Sequence, residues 1–221
     1  MLEKTRAIVL HTIRYNDKSL IAEVFTESHG AVSFMVRIPN ARKSVMKNVL
    51  LSPLTLLEID YDHRDNLRLQ RLIDVRVWEP YSSLPYHPLK QTIALFLGEF
   101  LFYALRNEGP SAAMFRFLVS SLQWLDTKPA GFANYPITFL IRLSRFLGIW
   151  PTEEEAQRML PADEQSLVPL ILRMDFATMH LFQFTTLQRQ RLLVVLNDYY
   201  QHHITGFPSM KSMAILREVL S

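Results

Sequence analysis

The chain of 221 residues contains no cysteine. That one absence excludes a disulfide scaffold, a thiolate zinc site and a cysteine nucleophile, and it is compatible with a reducing compartment. Glycine is scarce, with 6 residues against 12 prolines, and neither is gathered into runs, so no low-complexity segment or long flexible linker is expected. No repeat recurs at a solenoid or propeller period. Long apolar runs are missing as well. The most apolar stretch, Ile93 to Leu105, is broken by Gly98-Glu99 and falls short of the ~20 residues that span a bilayer. Met1 to Arg6 leads straight into strand-like alternation without the apolar core of a signal peptide. A cytoplasmic protein with no membrane partner is expected.

Phosphate cradles are also absent. No Gly-x-x-x-x-Gly-Lys or Gly-x-Gly-x-x-Gly run exists, which argues against a nucleotide cofactor. His202 and His203 are adjacent, so on a helix they diverge and do not form the i, i+4 metal pair; they read as a polar helix end near Gly206. Glu153-Glu154-Glu155 opens a helix, where acids complement the macrodipole, and fits capping better than catalysis. Serine and histidine are scattered outside any strand–Gly-x-Ser-x-Gly context. An enzyme is not expected, nor a cofactor or metal.

What is present divides into two kinds of pattern. Ala7–Leu10, Ser19–Thr26, Ala31–Val36, Pro53–Ile59 and Leu67–Val77 read as five short strands, with Glu27-Ser28-His29-Gly30 a turn whose glycine suits a positive φ. In the last strand Leu67, Leu69, Arg71, Ile73 and Val75 share one parity. Five antiparallel strands with the longest connection between the third and fourth match a five-stranded Greek-key barrel of the OB type, with a small SH3-like barrel as competitor.

Prolines and tyrosines between Trp78 and Pro88 mark a boundary near residue 80, after which the period becomes helical. Leu89, Ile93, Phe96, Leu97, Phe100, Leu101 and Ala104 share a face. Ser111 is placed to cap a second helix. Asn134 with Pro136 just inside starts a third, which stops at Gly148. Thr152 and Glu155 fit a capping box, a long helix runs from Thr186 to His203, and Ser209 or Ser212 caps a last one ending near Leu220. The architecture expected is two-domain, β then α: a barrel over 1–80 and an all-helical domain over 81–221.

The net charge is +3, and its distribution matters more than its size. Between Ala31 and Leu57 there is no acid, while Arg37, Arg42, Lys43 and Lys47 fall inside that window. It lies on the side of such barrels that holds oligonucleotides, where cations neutralise phosphates. Arg14 and Lys18, in the turn between the first two strands, extend the track. Arg64, Arg68 and Arg71 alternate with Asp62, Asp65 and Asp74 and are set aside. Bases stack on aromatic rings; among Tyr15, Phe34 and Tyr61, the parity of Phe34 with Val32 and Val36 makes it core, and Tyr15 beside the basic turn is the better platform. The plain alternative is that an exposed loop collects lysine and arginine for solubility.

Arg6-Ala7-Ile8-Val9-Leu10, Tyr15-Asn16-Asp17-Lys18-Ser19-Leu20, Phe25-Thr26 and Gly30 resemble the N-terminal signature of the RecO recombination mediators. Phe207-Pro208-Ser209-Met210-Lys211-Ser212 with Leu216 resembles the closing helix of that family, and Leu143 to Gly148 the helix before its zinc-binding insert. Two departures stand out. Many members carry a four-cysteine zinc module, for which this chain has no ligands; and Pro39-Asn40 stands where the basic loop usually has a glycine.

The resemblance implies a barrel that binds single- and double-stranded DNA and anneals complementary strands. It implies a helical domain that receives the acidic, Phe-terminated tail of the single-stranded DNA-binding protein. It also implies partnership with RecR in loading the RecA recombinase, and a location with the nucleoid. Arg142 and Arg145, three apart on the third helix, are placed to flank a groove for such a tail, since guanidinium suits carboxylate; the alternative is the solvated face of an amphipathic helix. A second functional reading is an adaptor whose barrel binds peptide rather than DNA.

Overall fold

A computed structural model describes residues 1–37, 50–64, 67 and 69–220. The first strand, β1 (Leu2–Asn16), is 15 residues long and serves two neighbours. Its first half pairs antiparallel with β4 (Leu56–Asp62), from Leu2↔Asp62 to Ile8↔Leu56. Its second half pairs with β2 (Ser19–Thr26), ending at Asn16↔Ser19. β2 runs antiparallel to β3 (Gly30–Arg37) and β4 to β5 (Leu69–Glu79), while β3 meets β5 in parallel over Ser33–Met35 and Leu69–Arg71. The order β1-β2-β3-β5-β4 closes into a barrel. This is the OB-type topology the strand count pointed to, and closure leaves few strand edges exposed.

Period-two alternation fills the interior. Ala7 and Val9, then Leu20, Ala22 and Val24, then Phe34 and Val36, then Leu57, Ile59 and Tyr61 point inward, and all are buried. Burying each of the larger side chains contributes ~1.5–3 kcal/mol. Tyr61 closes one end, edge-on to Phe34 with ring centroids 5.0 Å apart. Its hydroxyl shares a 2.8 Å hydrogen bond with His29 Nδ1, and burial pushes its pKa up.

The opposite parity is apolar too. Ile8, Leu10, Phe25 and Leu56 are buried on the outer wall. Two helices follow, α1 (Pro88–Leu105) and α2 (Ala112–Thr127). By packing, Ala94–Val119 clusters with Met1–Ser82 in one compact unit. Phe115 stacks on Phe25 at 6.5 Å, and Phe102 meets His11 at 5.1 Å. A Cβ on Gly98 would stand 2.8 Å from Pro53 Cβ, so only glycine permits that approach. Gly30, at φ +69, leaves equally little room: a Cβ there would lie 2.5 Å from the carbonyl carbon of Gly109. Beside it, Ala31 N–H donates to the Glu108 carbonyl at 3.1 Å.

The second compact unit holds Ser83–Ile93 and the residues from Ser120 onward. It contains α3 (Tyr135–Phe146), α4 (Glu153–Met159), α5 (Val168–Arg173), α6 (Thr186–His203) and α7 (Met213–Val219), with 3₁₀ turns at Ala162–Leu167 and Met179–Leu181. Both capping boxes are made: Thr152 with Glu155, and Thr185 with Gln188. The Tyr200 hydroxyl donates to the Leu140 carbonyl at 2.8 Å, tying α6 to α3.

One buried cation organises the start of this unit. Lys90 is 1% exposed. Its Nζ donates to Ser83 Oγ at 2.6 Å, to the Asp126 carbonyl at 2.9 Å and to the Lys128 carbonyl at 2.6 Å. Asp126 in turn accepts from the N–H groups of Ser83 and Leu84 at 2.8 and 2.7 Å. The ammonium thus satisfies carbonyls at the α2 C-terminus, where a helix leaves acceptors open. Burial pushes its pKa down, against the opposing pull of Asp126.

Three local expectations are corrected. The fourth strand begins at Leu56 rather than Pro53, because Leu54 takes a positive φ of 66 and donates its N–H back to the Val9 carbonyl. In β5 a bulge between the pairs Asp60↔Asp74 and Tyr61↔Leu72 inserts Ile73 and flips the parity, leaving Ile73 58% exposed. Asn134 starts α3 without capping it through its side chain; its Nδ2 donates to the carbonyls of Met179 and Phe182 instead.

Candidate nucleic-acid interface

The ladder registers gather several of the sequence-marked residues at one end of the barrel. Arg14 lies opposite Leu20, Asn16 opposite Ser19, and Ser19 opposite Arg37. The end of β1, the turn at Asp17 and Lys18, and the end of β3 are therefore neighbours across three strands. Arg14, Tyr15, Lys18 and Arg37 are all exposed there, Tyr15 at 63%. Asn16 Oδ1 accepts from Lys18 N–H at 2.9 Å, which fixes the turn. Arg14 contacts Asp17 at 3.1 Å, but both side chains are open to water, so the pair is weak and leaves the guanidinium available.

Arg42, Lys43 and Lys47 lie outside the described residues. The other two aromatic candidates are not platforms: Phe34 is 1% exposed and Tyr61 fully buried. Elsewhere on the barrel charges are paired. Glu58 pairs with Lys4 at 3.3 Å and with Arg76, and Arg64 pairs with Asp62 at 2.8 Å. These arginines draw the carboxyls of Glu58 and Asp62 below the ordinary range. Arg6 is stacked on Trp78 at 4.2 Å.

In the helical unit, Arg142 and Arg145 occupy α3 but differ in availability. Arg142 Nε donates to the Met174 carbonyl at 2.8 Å and its Nη2 to the Arg173 carbonyl at 3.0 Å, so it caps the end of α5. Burial and the charge of Arg145 lower its pKa, opposed by Asp175. Arg145 is exposed and its guanidinium carbon lies over the Trp150 ring at 3.8 Å from the centroid. Trp150 escaped the sequence reading. It returns to Arg145 because Gly148, at φ 70, reverses the chain after α3. Among the described residues no group of three or more histidine or acidic side chains is placed to hold a metal ion, and no helix is long and apolar enough to cross a membrane.

A closed β1-β2-β3-β5-β4 barrel with cations and an exposed ring at the β1–β2 tip, followed by helices, defines an oligonucleotide-binding class of fold. Comparison with known proteins narrows the class. The profile described as "Recombination protein O N terminal" matches residues 1–81, and that described as "Recombination protein O C terminal" matches residues 86–155. The DNA repair protein RecO of Phocaeicola vulgatus is 40% identical over 241 positions, covering 100% of both chains. That of Bacteroides fragilis is 40% identical over 240 positions, and that of Flavobacterium psychrophilum 33% over 236, each covering 99% of both chains. The chain belongs to the RecO family of DNA repair proteins.

Proposed function

We propose that the protein is a non-enzymatic recombination mediator that binds DNA on its barrel, anneals complementary single strands and helps load a recombinase onto protein-coated single strands. The observation that carries this reading is the convergence of Arg14, Tyr15, Lys18 and Arg37 at one end of the barrel. Cations there neutralise phosphates while a ring offers a stacking face, a pairing that suits single strands of any sequence. Arg42, Lys43 and Lys47 continue the same acid-free window in the sequence. Two strands drawn to one basic surface are concentrated and partly relieved of mutual repulsion, which favours annealing without nucleotide hydrolysis.

In this reading residues 1–80 serve nucleic acid and 81–221 serve partners, namely the tail of the single-stranded DNA-binding protein and RecR, in the cytoplasm at the nucleoid. Arg145 on Trp150 supplies a cation and an apolar ring for an acidic, aromatic-ended tail, and Arg142 shapes the surface through the end of α5.

An annealing assay with complementary oligonucleotides tests the proposal. Acceleration by the wild type is expected, with most of it lost in Arg14→Glu/Lys18→Glu/Arg37→Glu and in Arg42→Glu/Lys43→Glu. Wild-type protein that leaves annealing at its spontaneous rate overturns the reading.

A further inference from the structure

The parallel closure of the barrel holds a second feature. β3 and β5 pair only over three residues each, and beyond Met35 and Arg71 the ladder between them ends. Among the described residues, Leu72–Val77 pair only with β4. The parting strands border a groove of about 1020 Å³, lined by Met35, Val36, Leu69, Leu72 and Val75. The bulge turns the exposed Ile73 onto its lip. Three arginines and two aspartates, Asp62 and Asp74, also line it. Arg64 is held by Asp62, whereas Arg37 and Arg71 are exposed and have no carboxylate partner among the described residues.

The chemistry of this groove differs from that of the basic turn. Its described lining has no aromatic ring, so it offers no face for a base, but its aliphatic floor suits aliphatic side chains. The side of β5 that is unpaired among the described residues presents backbone N–H and C=O groups, which an extended peptide satisfies and a sugar–phosphate chain does not. Arg37 and Arg71, neither in an ion pair among the described residues, outnumber the one remaining carboxylate of Asp74, so the net positive charge where the strands part favours carboxylates.

We propose that this groove takes an extended, acidic peptide segment of a partner protein. The segment adds a strand along Leu72–Val77, lays alternate aliphatic side chains on the floor and turns carboxylates toward Arg37 and Arg71. The proposal shares Arg37 with the DNA reading but does not rest on it, and its test reads Ile73 and Arg71, which that reading does not use.

Fluorescence anisotropy on the full chain tests it with a labelled, end-capped peptide of alternating valine and glutamate, about ten residues or ~33 Å when extended. Saturable binding is expected, weakened about tenfold in Ile73→Asp and in Arg71→Glu, where about tenfold corresponds to one lost contact of ordinary strength. Both side chains are exposed, so circular dichroism should show both variants folded. Arg71→Glu should gain affinity for the valine–lysine counterpart, and a backbone N-methylated valine–glutamate peptide should not bind. Absence of saturation, or N-methylated peptide binding as well as its parent, overturns strand addition. If Ile73→Asp weakens binding of a thymidine oligonucleotide as much as it weakens peptide binding, the groove is a nucleic-acid site. If sedimentation shows a dimer that Ile73→Asp dissolves, it is a self-interface. Either result also overturns the proposal.

Discussion

Replacing Lys90 by methionine keeps the apolar stem but removes all three donors at the α2 C-terminus. The Asp126 carbonyl still accepts from Ser83 Oγ, so the acceptor left without its protein partner is the Lys128 carbonyl. An orphaned acceptor costs about 1–3 kcal/mol, and hydrogen bonds to a charged group are worth about 1.5–3 kcal/mol each. Against this, methionine relieves the cost of keeping an ammonium out of water, a term of several kcal/mol. The balance is a net loss of about 2 kcal/mol. For a chain of this size that lowers the melting midpoint by about 4–8 °C. Thermal unfolding followed by circular dichroism measures it, with Lys90→Arg as a companion: the longer guanidinium does not fit a site 1% exposed and should cost more. A methionine variant as stable as the wild type, or more so, would refute the view that the buried ammonium holds the helix end.

Gly30→Ala should destabilise by about 2–4 kcal/mol, since left-handed backbone costs a non-glycine residue ~1–2 kcal/mol and the added methyl overlaps the Gly109 backbone; urea unfolding reads this, and a change within about 0.5 kcal/mol contradicts it. Arg145→Glu should abolish binding of an acidic, Phe-terminated peptide while Arg142→Lys mainly lowers stability, as titration and melting curves on the same samples can tell apart. The Asp175 carboxyl is held below its ordinary value of 3.8 by hydrogen bonds from the Thr178 side chain and backbone. A depressed carboxylate contributes stability that is full above its unfolded value and lost as pH falls through the folded one. Melting midpoints should therefore fall as pH drops below about 4, and less steeply in Asp175→Asn.

The β2, β3 and α6 segments were legible because their apolar period runs unbroken: Leu20, Ala22 and Val24 alternate inward, and Thr186–His203 carries its own cap. Ile73 was misread because a bulge is invisible to a parity rule; nothing local to Leu72-Ile73-Asp74 announces the extra residue. Asn134 looked like a cap because its type and its proline fit one, yet a pair of carbonyls 45 and 48 residues away took its amide. The same non-locality explains the candidate site. Arg14 and Lys18 were marked by their turn, but their adjacency to Arg37 depends on the β2–β3 register, and Trp150 joins Arg145 only through the reversal at Gly148. The packing of Ala94–Val119 with the barrel is likewise a property of the outer wall, where Phe25 and Leu10 share apolar character with the inward set and carry no label of what covers them.

The central claim, that the β1–β2 tip and the end of β3 form a phosphate-binding surface, is tested most directly by the salt dependence of single-strand affinity. Each phosphate neutralised contributes about −0.7 to the slope of log K against log salt. The wild type should bind a thymidine oligonucleotide with a clearly negative slope, and Arg14→Glu/Lys18→Glu/Arg37→Glu should flatten it by about two as three contacts are lost. An affinity independent of salt, or the same slope in both proteins, would contradict it.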